Sequence, residues 1–209
     1  MKHLPVQLYE RDKILEACLS VFARHGYKHT STGMLAEAAG ISKALIFHHF
    51  QNKKKLYLSL LEHCYEKVGT SLDTGSISEQ EDFFEALHLY MSRKFEYYRK
   101  HPDESMLVYE AFYTIPDELK ADMEEKFGDV LANKYQVWDQ LFEKVPLQEA
   151  IPRKYALDLI RITFEHLDTA FFADLTNGII LDDRYMDNLF EKIKHFCSII
   201  RDGMEKEPS

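Results

Sequence analysis

Apolar residues recur at helical spacing along almost the whole chain. The first stripe follows the i, i+3, i+4, i+7, i+8 rule and consists of Ile14, Ala17, Cys18, Val21 and Phe22. It predicts an amphipathic helix that ends near Gly26, because glycine readily adopts the left-handed conformation that closes a helix. Only 8 of the 209 residues are glycine and 6 are proline, so turns are few. The pattern predicts an all-α fold of about nine helices.

Two short helices joined by a glycine turn are expected next. Ser31 or Thr32 can cap the first of them, which Gly40 ends. Ser42 is a suitable cap for the other, a third helix of about two turns. We expect its apolar side to consist of Leu45, Ile46, Phe47 and Phe50.

A fourth helix, capped by Asn52 and running to about Val68, leads into the chain's richest run of small and polar residues, positions 69–78. We interpret this run as a linker and place a domain boundary there, which gives domains 1–70 and 71–209. Five further helices are expected in the second domain. The eighth helix of the chain, residues 153–176, is apolar on more than one side, whereas the ninth carries a single apolar stripe.

The composition is that of a globular protein, with 45% hydrophobic and 29% charged residues. No apolar run approaches the roughly 20 residues that cross a bilayer, and the amino terminus lacks an apolar signal core. We therefore expect a cytoplasmic protein that does not bind a membrane. Cys18, Cys64 and Cys197 are far apart and fit reduced core thiols. Neither a cofactor nor a metal site is expected.

The two ends of the chain differ in charge. Residues 1–60 contain nine Lys and Arg against four Asp and Glu, a net charge of +5, and the total of -9 leaves -14 for the remainder. A basic amino-terminal region can contact phosphates, while the acidic remainder repels nonspecific contact with nucleic acid.

Residues 31–50 have the order that a helix-turn-helix requires, with small packing residues, a turn glycine and a polar start to the second helix. Over residues 9–60 the sequence resembles the TetR family of bacterial regulators. The residues that match the family pattern in unbroken register are Phe22, Gly26, Thr32, Leu35, Ala36, Ala39, Gly40, Ser42, Lys43, His48, Phe50, Asn52, Lys53, Leu56 and Tyr57. The resemblance implies a three-helix DNA-binding head and a carboxy-terminal helical domain for ligand sensing and dimerisation.

The resemblance also implies which residues touch DNA. The base-facing candidates, at the start of the third helix, are Ser42, Lys43, Ala44 and Leu45, and the phosphate candidates are Thr32, His48, His49 and Lys53. Lys43 can donate to guanine or phosphate, whereas Ala44 and Leu45 offer only apolar contact, for example to thymine methyls. Phe47 and His49 stand where the family usually has tyrosines. Phe47 is retained as a DNA-contact candidate, although it lacks the hydroxyl that would reach a phosphate.

In the second domain the resemblance implies an effector site and a dimer interface. The candidates for the effector site are His88, Arg93, Tyr109, Tyr113, Trp138, Glu165 and His166, each of which also fits an ordinary core or surface role. The many aromatic residues favour a small apolar or aromatic effector. The last two helices can pair with their copies, giving a homodimer on a palindromic, double-stranded operator. Repression relieved by the effector is expected, with activation and corepression as alternatives.

Two other functions compete with a regulator. An enzyme is disfavoured because the sequence has no nucleophile elbow, phosphate-binding glycine loop or HExxH motif. His63 with Cys64, and His195 with Cys197, lack a complete set of metal ligands. An interaction protein whose head has lost DNA binding is the second rival, suggested by the acidic total charge and by Phe47. A salt-dependent, sequence-selective complex with DNA would exclude it.

Overall fold

The structure, a computed structural model, describes residues 6–72 and 74–206. These residues form ten α-helices and a 3-10 helix, and they contain no β-strand, which confirms the all-α prediction. The helices are α1 Val6–His29, α2 Thr32–Ala38, α3 Lys43–Phe50, α4 Lys53–Leu72, α5 Thr74–Ser78, α6 Phe83–Lys100, α7 Pro102–Tyr113, the 3-10 helix Asp117–Leu119, α8 Lys120–Glu143, α9 Arg153–Thr176 and α10 Asp183–Met204. The count exceeds the predicted nine because α5 and the 3-10 helix are additional. No helix in these ranges is both long and apolar enough to span a membrane.

The chain forms two compact units. The first unit comprises Met1–Gly69 and His101–Gly128, and the second comprises Thr70–Lys100 and Asp129–Ser209. The first unit therefore contains α7, the 3-10 helix and the start of α8 in addition to the predicted head. The division into functional domains at residue 70 stays a prediction.

In the first unit, α1 contributes one buried face to the core. Cys18 and Phe22 on α1 are fully buried, and so are Leu35 on α2 and Ile46 on α3. Phe22 also packs edge-on against the ring of Tyr57 on α4, with the ring centroids 5.1 Å apart. These contacts fix the short helices α2 and α3 against α1, since seven or eight residues alone would not hold a helical conformation.

The first helix breaks at Gly26, as the sequence predicts. Gly26 has φ 69° and ψ 167°, and one further helical turn follows it before His29. The backbone N–H of Tyr27 donates to Glu110 Oε1 on α7 at 3.0 Å, and the Tyr57 hydroxyl lies 3.4 Å from Glu110 Oε2. Burial raises the pKa of the Glu110 carboxyl, and these two donors oppose that rise. Glu110 thus satisfies a backbone donor that the break leaves without a helical partner.

The predicted linker is largely helical, so that interpretation was wrong. The helix α4 continues past Val68 to Leu72, and α5 occupies Thr74–Ser78. Leu72 and Ile77 are both buried. Their burial supplies the free energy that the small and polar residues of this run do not. Within the second unit, the Arg93 guanidinium also donates to Ser76 Oγ at 2.7 Å.

The core of the second unit combines packed aromatic rings with a buried ion pair. The Phe95 and Phe171 rings lie 5.0 Å apart, linking α6 to α9. Nearby, Lys94 Nζ on α6 lies 2.5 Å from Asp168 Oδ2 on α9, and both side chains are buried. Loss of either partner would leave the other as an uncompensated buried charge, so the pair favours the packing of α6 on α9 that holds the two groups together.

The three cysteines are buried, as predicted for core thiols. Burial raises the pKa of Cys18 and Cys64 to about 12 and that of Cys197 to about 11. All three are therefore neutral thiols that pack as small apolar side chains.

Candidate nucleic-acid interface

Serine caps and a glycine turn build the helix-turn-helix from local interactions. Ser31 Oγ accepts a hydrogen bond from the Met34 N–H at 3.3 Å, so Ser31 rather than Thr32 caps α2. Gly40 has φ 64° and reverses the chain after α2. Ser42 Oγ accepts from the Leu45 N–H at 3.2 Å and caps α3, which confirms the predicted cap.

The helix α3 divides sharply into a buried and an exposed side. Ile46 and Phe50 are buried, whereas Leu45 and Phe47 are 38% and 43% exposed. The prediction that all four form the apolar side was therefore wrong for Leu45 and Phe47. Residues four apart lie almost above one another on a helix, so burial of Ile46 and Phe50 turns the other two outward.

The predicted DNA-contact residues lie on the outward side of α3 and around its ends. Ser42, Lys43, Ala44, Leu45, Phe47 and His48 are exposed, and Thr32, His49 and Lys53 are half-buried. The side chain of Lys43 lies across α2, because a Cβ at Gly33 would be 3.3 Å from Lys43 Cε and 3.4 Å from Nζ. Gly33 thus leaves room for the Lys43 cation beside the first turn of α2. A positive charge there is unfavourable for the helix dipole, and an approaching anion would relieve it.

Lys53 has internal partners that the sequence did not reveal. Its Nζ donates to the carbonyl oxygens of Tyr27 and Thr30 at 2.9 and 3.0 Å and lies 4.1 Å from the centre of the Tyr27 ring. Lys53 therefore ties the end of α1 and the loop that follows it to the start of α4. The contact of Lys53 with phosphate stays a prediction. The structure adds a second role for this side chain, which is to hold parts of the first unit together.

The two lysines after Lys53 also have partners within the first unit. Lys54 Nζ lies 2.8 Å from Asp122 Oδ2, and Lys55 Nζ donates to Gln51 Oε1 at 2.7 Å. Asn52 Oδ1 accepts from the Lys55 N–H at 2.9 Å, which confirms Asn52 as the cap of α4. The caps and partners explain how three cations are tolerated in a first helical turn.

Replacement of Lys53 by alanine is expected to lower the free energy of unfolding by about 2 kcal/mol, because two charge-assisted hydrogen bonds and a cation–π contact are lost. Urea unfolding followed by circular dichroism measures the change. Lys55→Ala removes the same charge from the same turn and is the control, with an expected change below about 0.5 kcal/mol. Equal losses in the two variants would contradict the structural role of Lys53.

The residues predicted for an effector site are distributed over both units. In the first unit, Tyr109 and Tyr113 stack on α7 with their ring centroids 4.8 Å apart. In the second unit, the Trp138 ring on α8 packs edge-on against Phe83 and Tyr90 of α6.

The other candidates in the second unit do not form one cluster. Arg93 anchors the α4–α5 segment, and Glu165 and His166 are exposed on α9. His88 lines a pocket of about 300 Å³ between α6 and α10. The other lining residues are Phe84, Glu85, Lys194, Cys197, Ser198 and Arg201, none of which the sequence predicted. No local motif marks them, since they meet only when α6 packs on α10.

Comparison with known proteins finds a family match in the amino-terminal residues. Residues 14–60 match the family described as bacterial regulatory proteins, tetR family. A segment of 69 residues is 36% identical to the HTH-type transcriptional repressor AcnR of Corynebacterium efficiens, covering 33% of this chain and 37% of that protein. The first curated relatives are matched over only 26% to 37% of their own length.

Solved structures match the fold over nearly the whole chain. A TetR family transcriptional regulator from Chloroflexus aurantiacus has a TM-score of 0.71 at 20% identity, covering 98% of this chain and 96% of that one. The transcriptional regulator FadR from Bacillus subtilis, in complex with stearoyl-CoA, has a TM-score of 0.60 at 19% identity, covering 87% and 96%. These likenesses establish the fold.

Proposed function

We propose that this chain is a cytoplasmic, DNA-binding transcriptional regulator, because residues 14–60 match the tetR family of bacterial regulatory proteins. Its helix-turn-helix binds a palindromic operator as a homodimer. A small apolar or aromatic effector bound by the second domain releases it.

The observation that carries the proposal is the outer side of α3. Burial of Ile46 and Phe50 leaves Lys43, Ala44 and His48 exposed along the helix. A recognition helix enters the major groove with its amino-terminal residues, and a small residue such as Ala44 allows close approach to the base edges. The basic charge of residues 1–60 supplies the attraction to phosphate.

The homodimer is supported by an apolar stripe on α9. Tyr155, Leu159 and Ile162 are 67%, 51% and 65% exposed and follow helical spacing along one side. On α10, Ile199 is 66% exposed. Contiguous exposed apolar residues at this spacing are typical of a helical interface between copies. Two joined heads also gain affinity by engaging two half-sites at once.

Repression and release by an effector are supported by the relatives. AcnR is described as a repressor, and the structure of FadR contains stearoyl-CoA. In this chain the second unit offers aromatic side chains and the pocket lined by His88. Ligand binding that favours one arrangement of the two heads would shift the population of DNA-bound dimer.

Binding to DNA from the protein's own upstream region, measured by fluorescence anisotropy against unrelated competitor DNA at several salt concentrations, tests the proposal. A selective complex that weakens with salt is expected. The absence of any selective complex would favour an interaction protein instead.

Lys43→Glu is expected to weaken operator binding roughly 30-fold, since each of two heads loses about 1 kcal/mol or more. The same anisotropy titration measures the change. Lys144→Glu makes an equal charge change at an exposed position of the second unit, and its expected affinity lies within about twofold of the parent. Equal weakening by both variants would show a general charge effect and remove Lys43 from the interface.

A further inference from the structure

Two large apolar side chains are exposed on a helix of only eight residues. Leu45 and Phe47 lie on the outward side of α3, and Ala44, the residue before Leu45, is also exposed. On a helix, Ala44 and His48 fall on one line, with Leu45 and Phe47 on its two flanks. Single exposed apolar residues are common, but two that flank Ala44, a base-facing candidate, form an apolar surface for contact with the base edges.

Hydrogen-bonding groups for base recognition are scarce on the same helix. Adenine is read by asparagine or glutamine, cytosine by a carboxylate, and guanine by the two parallel donors of arginine. Residues 42–50 contain none of these side chains. Ser42 Oγ is engaged as the cap of α3. Lys43 is the remaining polar side chain of the first turn. The thymine 5-methyl group is the one base mark in the major groove that an apolar side chain recognises.

We propose that Leu45 and Phe47 select the operator through contact with thymine methyl groups, so that the DNA recognised carries thymines opposite the two flanks of α3. The inference rests on the proposed DNA-binding function and names the sequence class that it reads. Phe47 then helps to select the DNA sequence, and this contact does not need the hydroxyl of the tyrosine that the family usually has at this position. Guanine is expected only where Lys43 reaches the base edge.

Replacement of thymine by deoxyuridine isolates the methyl group, because pairing is unchanged. The probe is the fragment of upstream DNA that the protein binds selectively. Its thymines inside the two half-sites that the bound protein protects from cleavage are replaced by deoxyuridine. The affinity is then measured by anisotropy with the full-length protein. Burial of one methyl group corresponds to about fourfold in affinity, so one contact in each half-site gives about 15-fold, and contacts by both side chains in each half-site give roughly 250-fold. An equal number of deoxyuridines outside the protected region is the DNA control, with no expected change.

Protein variants connect the effect to the two side chains. Leu45→Ala and Phe47→Ala are expected to bind the thymine operator more weakly and to lose much of the discrimination against deoxyuridine, as a double-mutant cycle measures. Both residues are exposed, so the variants keep the fold. Ile180→Ala, at an exposed apolar residue of the second unit, is expected to retain full discrimination.

The outcomes separate this inference from the function on which it rests. Selective binding with less than twofold discrimination against deoxyuridine overturns the methyl readout and leaves DNA binding intact. Discrimination that persists unchanged in both alanine variants assigns the methyl contact to other residues and also overturns it. Failure to bind any upstream fragment selectively overturns both proposals.

Discussion

Replacement of Gly26 by alanine is expected to lower the free energy of unfolding by about 3 kcal/mol. Gly26 has φ 69° and ψ 167°, a region essentially restricted to glycine, where another residue costs roughly 1–3 kcal/mol. In addition, a Cβ would lie 2.6 Å from Glu110 Oε1. That oxygen accepts the Tyr27 N–H, so it cannot move away without loss of a hydrogen bond. Urea unfolding followed by circular dichroism measures the difference.

Gly69→Ala is the matched control and has the opposite expected sign. Gly69 lies inside α4, and a Cβ there would meet nothing within 4 Å. Alanine in a helix interior is favoured over glycine by roughly 0.5–1 kcal/mol, so this variant should be slightly more stable. The Glu110→Ala background separates backbone strain from the clash, because only the clash is relieved there. A loss below about 1 kcal/mol in Gly26→Ala would contradict this account of the break.

The sequence could locate the break at Gly26, but it could not identify the Glu110 carboxylate that accepts the hydrogen bond of the next N–H. Glycine is a local signal, and it is sufficient to end a helical stripe. Glu110 lies more than 80 residues later on α7, and nothing in its neighbours marks it as a partner of Tyr27. The same distinction applies to Lys53, whose partners are carbonyl oxygens at the end of α1 and in the loop after it. Main-chain acceptors leave no trace in residue type, so such contacts escape pattern analysis.

The errors in the predicted elements have physical causes as well. Positions 69–78 looked like a linker because small and polar residues have weak helical preference. Burial of Leu72 and Ile77 decides the outcome instead, and it depends on the packing of the second unit. On α3, hydrophobicity alone suggested burial of Leu45 and Phe47. The strict helical spacing of Ile46 and Phe50 would have identified the buried pair.

If the proposed homodimer forms, replacement of Ile162 by glutamate is expected to convert it into monomers and to weaken operator binding at least 100-fold. Ile162 lies within the exposed stripe of α9, next in helical spacing to Leu159. At a two-fold interface, each substitution buries a carboxylate without a partner, and the cost is several kcal/mol per dimer. Because Ile162 is 65% exposed, the fold of the chain should not change. Sedimentation velocity gives the oligomeric state, and anisotropy gives the affinity.

Ile180→Glu introduces the same charge at an apolar side chain that is 80% exposed but lies outside the helical stripe. This control is expected to remain dimeric and to bind the operator normally. A monomeric Ile162→Glu variant with parental affinity would show that one head suffices for binding, against the avidity argument. A variant that stays dimeric would place the interface on another surface. Loss of both dimerisation and operator affinity in Ile162→Glu, with neither lost in Ile180→Glu, would assign α9 to the interface. A substitution on α9 can lower the affinity for DNA in this way only if the two heads bind as a coupled pair.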